Sequence, residues 1–120
     1  LRYSVGEQSN FILAPMALTS IEQINRWGVE NIQEYCRSIT DSAITRLLEK
    51  GFLLEESSYR ASHFFGIRHS RQIDPKKLKD ALNKSRIHVS IRGDAIRVSP
   101  HVYNDAQDLN RLVKILSGVI

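Results

Sequence analysis

A single cysteine, Cys36, stands in a sequence of 120 residues. One thiol closes no internal disulfide and cannot supply the multi-cysteine ligand sets of structural zinc, so a reducing, cytoplasmic setting is expected. Long apolar runs are missing too. The longest stretch without a charge, Gln8 to Ile21, falls short of the ~20 residues a membrane helix needs and contains Pro15, so no membrane partner is expected. No signal peptide is expected, and the sequence carries no glycine-rich loop to cradle a phosphate and no nucleophile elbow. Four histidines are present, but no pair sits at zinc-ligand spacing with carboxylate or thiolate support, so no metal is expected. The chain opens on Leu1 and its only methionine is Met16, which reads as a piece of a longer protein.

What is there describes an ordinary globular domain. Hydrophobic residues make up 42% and charged residues 25%, enough for one core. The net charge of +4 suits either nucleic acid or a small anionic ligand and chooses neither. No internal repeat or low-complexity segment occurs.

Residues 1–15, rich in turn formers, show no period and read as an irregular or linking segment. Leu18, Ile21 and Ile24 then space a first amphipathic helix. After Trp27-Gly28, the stripe Ile32, Cys36, Ile39, Ala43 and Leu47 marks a second, which Gly51 ends. The segment HFFGIRH, His63 to His69, is the first plausible strand, with Gly66 either weakening it or marking a close approach. In QIDPKKLKDALNKS, Asp74 caps a short helix with Pro75 at its first position, and Ile73 can close on Leu78. A last helix is expected from Asn104, its buried stripe being Leu109, Leu112, Val113 and Leu116. The fold class is therefore α+β: a two-layer small domain with a mainly antiparallel sheet of about three strands covered by helices.

The most informative stretch is IHVSIRGDAIRVSPHVYND, Ile87 to Asp105. Gly93-Asp94 between two alternating segments is a two-residue hairpin of type II′. Counting back, Arg92 lies opposite Ala95, Ile91 opposite Ile96 and Ser90 opposite Arg97. Ile87, Val89, Ile91, Ile96 and Val98 share the core face. The other face carries His88, Ser90, Arg92, Ala95, Arg97 and Ser99. Arg92 and Arg97 fall on a diagonal where long side chains can converge. An anion between them would relieve their repulsion, and the arginine fork suits a carboxylate or phosphate. A solvated face, with the arginines pointing apart or paired to Glu and Asp elsewhere, is the plain alternative.

These residues resemble a known pattern. The segment VSIRGDAIRVSPHVYNDAQDLNRLVKIL resembles the C-terminal end of class V aminotransferase-family enzymes, the fold-type I pyridoxal-phosphate group that includes cysteine desulfurases and kynureninase. The matches are Arg92, Ile96-Arg97-Val98-Ser99, Tyr103-Asn104 and the closing helix. SVGEQSNFILAPMALTSIEQINRWGVENIQEYC is similar to the family's passage from the cofactor domain into the small domain. The resemblance implies a linking segment at 1–16 and the C-terminal small domain at 17–120.

It further implies that Arg97 grips the α-carboxylate of an amino-acid substrate, with Arg92 shaping the same pocket. Ser9 and Asn10 match a segment that approaches the cofactor phosphate or substrate of a neighbouring subunit, which implies a homodimer. The cofactor, pyridoxal 5'-phosphate, would be held mainly by a domain upstream, together with the lysine that carries it. Lys50, Lys76, Lys77, Lys79, Lys84 and Lys114 all fall on or beside amphipathic helices as solvated charges, so no catalytic residue is expected in this chain. Cysteine desulfurases of the family carry a reactive cysteine in the loop between the hairpin strands, where this chain has only Gly93-Asp94. A transaminase, epimerase or kynureninase-like lyase is thereby favoured over a desulfurase. The rival class is a small basic nucleic-acid-binding module. Adjacent Phe64 and Phe65 count against it, because one of them must face the core.

Overall fold

The computed structural model describes residues 11–70 and 73–120. Ser9 and Asn10 lie outside them. Four helices and four short strands follow in the order α1 (Leu13–Trp27), α2 (Val29–Glu49), β1 (Phe52–Leu53), β2 (Phe65–His69), α3 (Pro75–Lys84), β3 (Ser90–Arg92), β4 (Ala95–Val98) and α4 (Ala106–Ser117). The chain divides into two compact units, Leu1–Asn31 and Ile32–Ile120.

In the first unit α1 begins at Leu13, inside the segment expected to be irregular. Pro15 permits this because it falls in the first helical turn, where backbone N–H groups have no intrahelical partner. Gly28, at φ 84°, stops the helix and its N–H closes on the Ile24 carbonyl at 3.0 Å. The expected apolar spacing is present, yet α1 contains no buried residue.

The second unit holds the sheet, ordered β1-β2-β4-β3 with every neighbouring pair antiparallel. One face of the sheet packs on α2, α3 and α4. Ile39, Ala43 and Leu47 of α2, Leu78 and Leu82 of α3, and Leu109, Leu112 and Leu116 of α4 close on Phe65, Ile67, Ile96 and Val98. This is the expected two-layer α+β arrangement with one strand more. The additional strand, β1, is two residues long and too short to show an alternation in the sequence.

Local signals behave as their chemistry requires. Asp74 accepts from the N–H groups of Lys76 and Lys77 ahead of Pro75. Gly51, at φ 82°, follows α2. The last helix is capped by Asp105 rather than Asn104: the Asp105 carboxylate accepts from Gln107 N at 2.8 Å and Asp108 N at 3.0 Å. Asn104 has a different task. Its Oδ1 accepts from His101 N, its Nδ2 donates to Asp108, and its carbonyl accepts from the Tyr35 hydroxyl at 2.7 Å. Cys36 Sγ adds a contact to the Pro100 carbonyl at 3.6 Å. Helix α2 thus fastens the chain where it leaves β4.

Candidate functional site

The hairpin closes at Gly93, whose φ of 60° sits beside an Asp94 outside the positive region, as a type II′ turn requires. The ladder reads Arg92↔Ala95, Ile91↔Ile96 and Ser90↔Arg97, and on the other side of β4 Gly66↔Arg97 and Ile67↔Ile96. Cross-strand partners point to the same face. The face turned away from the helices therefore carries a row Ser90, Arg97, Gly66 and, one step along, a row of Arg92 and Ala95. Register β1–β2 places Arg68 and Leu53 on the same face.

Three arginines share this face and their surroundings differ. Arg68 is neutralised by Glu55 at 3.5 Å and Asp94 at 3.4 Å. Arg97 is half-buried and forms no ion pair among the described residues: its Nη2 donates to Ser90 Oγ at 3.2 Å, and its guanidinium carbon lies 5.6 Å from the centre of the Phe64 ring. Arg92 is exposed, with no ion pair among the described residues. The pairing with carboxylates thus occurs, but at the arginine the sequence did not single out.

Phe64 and Gly66 complete the cradle. Phe65 points into the core, 3% exposed, and its neighbour Phe64 is left on the open face under Arg97, 47% exposed. At Gly66 a Cβ would meet the Glu55 carboxylate at 3.2 Å, and the Gly66 N–H donates to that carboxylate at 3.4 Å. Glycine inside β2 therefore marks a close approach, of the acid that also neutralises Arg68. Adjacent phenylalanines and a strand glycine were the available signals for this arrangement. Glu55 and Asp94 gave none, since they reach Arg68 from two different turns.

His101 stacks on Tyr103 with ring centres 5.6 Å apart, and His88 is exposed. Burial pushes the Cys36 thiol above its ordinary value. Among the described residues no group of three His, Cys, Asp or Glu side chains could hold a metal ion, and no helix is long and apolar enough to cross a membrane.

No protein-family model and no curated protein matches the sequence. Solved structures do match its fold. A NifS-like protein aligns with a TM-score of 0.73 at 13% identity, over 94% of this chain and 34% of its own. An alanine–glyoxylate aminotransferase from Nostoc sp. aligns with a TM-score of 0.67 at 17% identity, over 98% of this chain and 33% of its own. The glycine decarboxylase (P-protein) of the glycine cleavage system, in inhibitor-bound form, aligns with a TM-score of 0.68 at 17% identity, over 96% and 28%. The chain spans about a third of the length of these structures, and what it shares with them is an α+β fold of four helices and a four-stranded antiparallel sheet.

Proposed function

We propose that this chain is the small domain of a pyridoxal-phosphate-dependent enzyme of the class V aminotransferase type, acting on an amino acid as a transaminase, epimerase or kynureninase-like lyase. The observation that carries the reading is Arg97: a half-buried guanidinium held in place by a hydroxyl and an aromatic ring, with no carboxylate partner among the described residues. A built-in carboxylate would have to be displaced before a substrate carboxylate could bind. Ser90 takes one guanidinium proton of five, and the others stay available for a two-pronged grip. Partial burial reduces solvent screening of that grip.

Ser90 and Phe64 orient Arg97 before substrate arrives, and the fastening of Pro100 and Asn104 to α2 fixes the end of β4 that carries it. Arg92, one row along, adds positive potential that draws the carboxylate in. The cofactor, bound by the rest of the polypeptide, supplies the electron sink for the bond-breaking step. The lysine that anchors it is assigned to the rest of the polypeptide as well, and Lys50, Lys76, Lys77, Lys79, Lys84 and Lys114 are all exposed. Ser9 and Asn10 are the residues of this chain offered to the cofactor phosphate of a neighbouring subunit in a cytoplasmic homodimer. The fold neighbours, two of them named as an aminotransferase and an amino-acid decarboxylase, support the amino-acid substrate class. A nucleic-acid reading has less to stand on, because Phe64, the exposed ring just before β2, already has the Arg97 guanidinium against one side of it.

In the intact enzyme, Arg97→Ala should lower kcat/KM for its amino-acid substrate by about 10²-fold or more, the loss of two charge-assisted hydrogen bonds at ~1.5–3 kcal/mol each. Visible absorbance should show the cofactor still bound. Arg97→Lys should recover part of the loss, since it restores charge without the fork. An unchanged KM and kcat in Arg97→Ala would overturn the assignment.

A further inference from the structure

We propose that a second, separate site on this chain binds a small tetrahedral oxyanion, the phosphate or sulfate group of a soluble metabolite, between α2 and the loop that leads to β2. A polar cavity of about 460 Å³ lies there, and Arg37 and Arg60 both line it. Ser57, Ser58 and Ser62 turn toward the same space. None of it coincides with the Arg97 face, and the proposal does not depend on the reading of that face.

The groups around this cavity are donors in search of acceptors. The Arg37 guanidinium has no hydrogen bond or ion pair among the described residues. Arg60 spends Nη1 on the Glu55 carbonyl at 2.7 Å, which fixes its direction and leaves its other donors uncommitted. The hydroxyls of Ser57, Ser58 and Ser62 have no partner within the described residues. A tetrahedral oxyanion accepts from several directions at once, which is what two guanidinium groups and three hydroxyls around one cavity offer.

The loop is fixed at both ends, so the site is formed in advance. Ser62 N donates to Gln33 Oε1 at 3.1 Å, and Gln33 Nε2 meets His63 Nδ1. Tyr59 N closes a turn on the Glu56 carbonyl at 2.9 Å. Binding therefore pays little to order the loop. One carboxylate, Asp41, also lines the cavity. It is four residues after Arg37 on α2, the poorer order for a helical ion pair, and no ion pair forms between them. Asp41 weakens an anion here without abolishing the net positive charge.

The test is a titration of the ¹⁵N-labelled protein with inorganic phosphate, sulfate, glycerol 3-phosphate and, as a planar monoanion control, acetate. Saturable shifts at the amides of Arg37, Ser57, Ser58, Arg60 and Ser62 are expected with dissociation constants of about 1–10 mM for the tetrahedral ions and none for acetate. A tighter grip on glycerol 3-phosphate than on inorganic phosphate would assign the site to phosphate monoesters, and the reverse order to the free ion. Arg37→Ala and Arg60→Gln should each weaken binding roughly three- to tenfold, and Asp41→Asn should tighten it by about threefold. Arg37 and Asp41 are exposed and their side chains make no hydrogen bond or ion pair among the described residues, so those variants keep the fold. Shifts that do not saturate, or that are unchanged in Arg37→Ala and Asp41→Asn, would overturn the proposal.

Discussion

Raising the pH should narrow the stability gap between this protein and its Cys36→Ala variant. Cys36 is 0% exposed, sits on the apolar stripe of α2 and directs its thiol at the Pro100 carbonyl. Trimming it to alanine removes one buried sulfur and one weak hydrogen bond, a loss of about 1 kcal/mol near neutral pH. Burial disfavours the thiolate and raises the thiol above its ordinary value of 9.0. A raised folded-state pKa gives stability that is complete while the unfolded chain keeps its proton and is lost as pH climbs toward the folded value. From about pH 9 upward the unfolded chain releases a proton that the folded chain retains, and stability falls by ~1.4 kcal/mol per pH unit. The alanine variant has no such proton. Its deficit should therefore shrink as the pH rises above about 9. Urea titrations of both proteins at a series of pH values measure the difference directly. A difference that does not change with pH would refute the burial argument. A wild-type protein that gains on the variant at alkaline pH would mean an activated, low-pKa thiol, and would reopen sulfur chemistry for this chain.

Three further substitutions test the backbone and the core by urea or thermal unfolding. Gly93→Ala should cost about 1 kcal/mol although nothing lies within 4 Å of the added methyl, because φ 60° is a left-handed conformation; an unchanged midpoint would mean the turn is not held as described. Arg86→Gly should go the other way. Arg86 holds φ 54° just past α3, where its N–H closes on the Asn83 carbonyl and that of Ile87 on the Leu82 carbonyl, a helix-ending pattern that prefers glycine, so a gain of roughly 0.5–1 kcal/mol is expected and a loss would show that its side chain contributes contacts. Ile67→Ala, on the strand between β1 and β4 and 0% exposed, should destabilise by about 2–5 kcal/mol; less than 1 would place Ile67 outside the core.

Much of the fold was legible because its signals are local. The Gly93-Asp94 turn fixed the hairpin register to the residue, the stripes of α2 and α4 named their own buried positions, and Asp74-Pro75 announced α3. The errors also have local causes. Asn104 and Asp105 are both good caps one position apart, and only the tertiary demand of Tyr35 and His101 on Asn104 decides between them. Strand β1 owes its existence to pairing Phe52 with His69 and Leu53 with Arg68, not to a period of its own.

The polar face shows a deeper limit. Sequence spacing could say that Arg92 and Arg97 share a side of the hairpin, but not which arginines of the sheet would be neutralised. That depends on Glu55 and Asp94, which come to Arg68 from opposite ends of the sheet's connections. Their pairing has a consequence beyond Arg68. With both nearby carboxylates committed to one arginine, Arg97 is left beside Ser90 and Phe64 as an oriented, uncompensated charge. Such a charge costs stability in the isolated domain and is relieved when an anion binds. An external carboxylate such as acetate should therefore raise the protein's unfolding midpoint by binding at Arg97, and the same carboxylate should do nothing for Arg97→Ala.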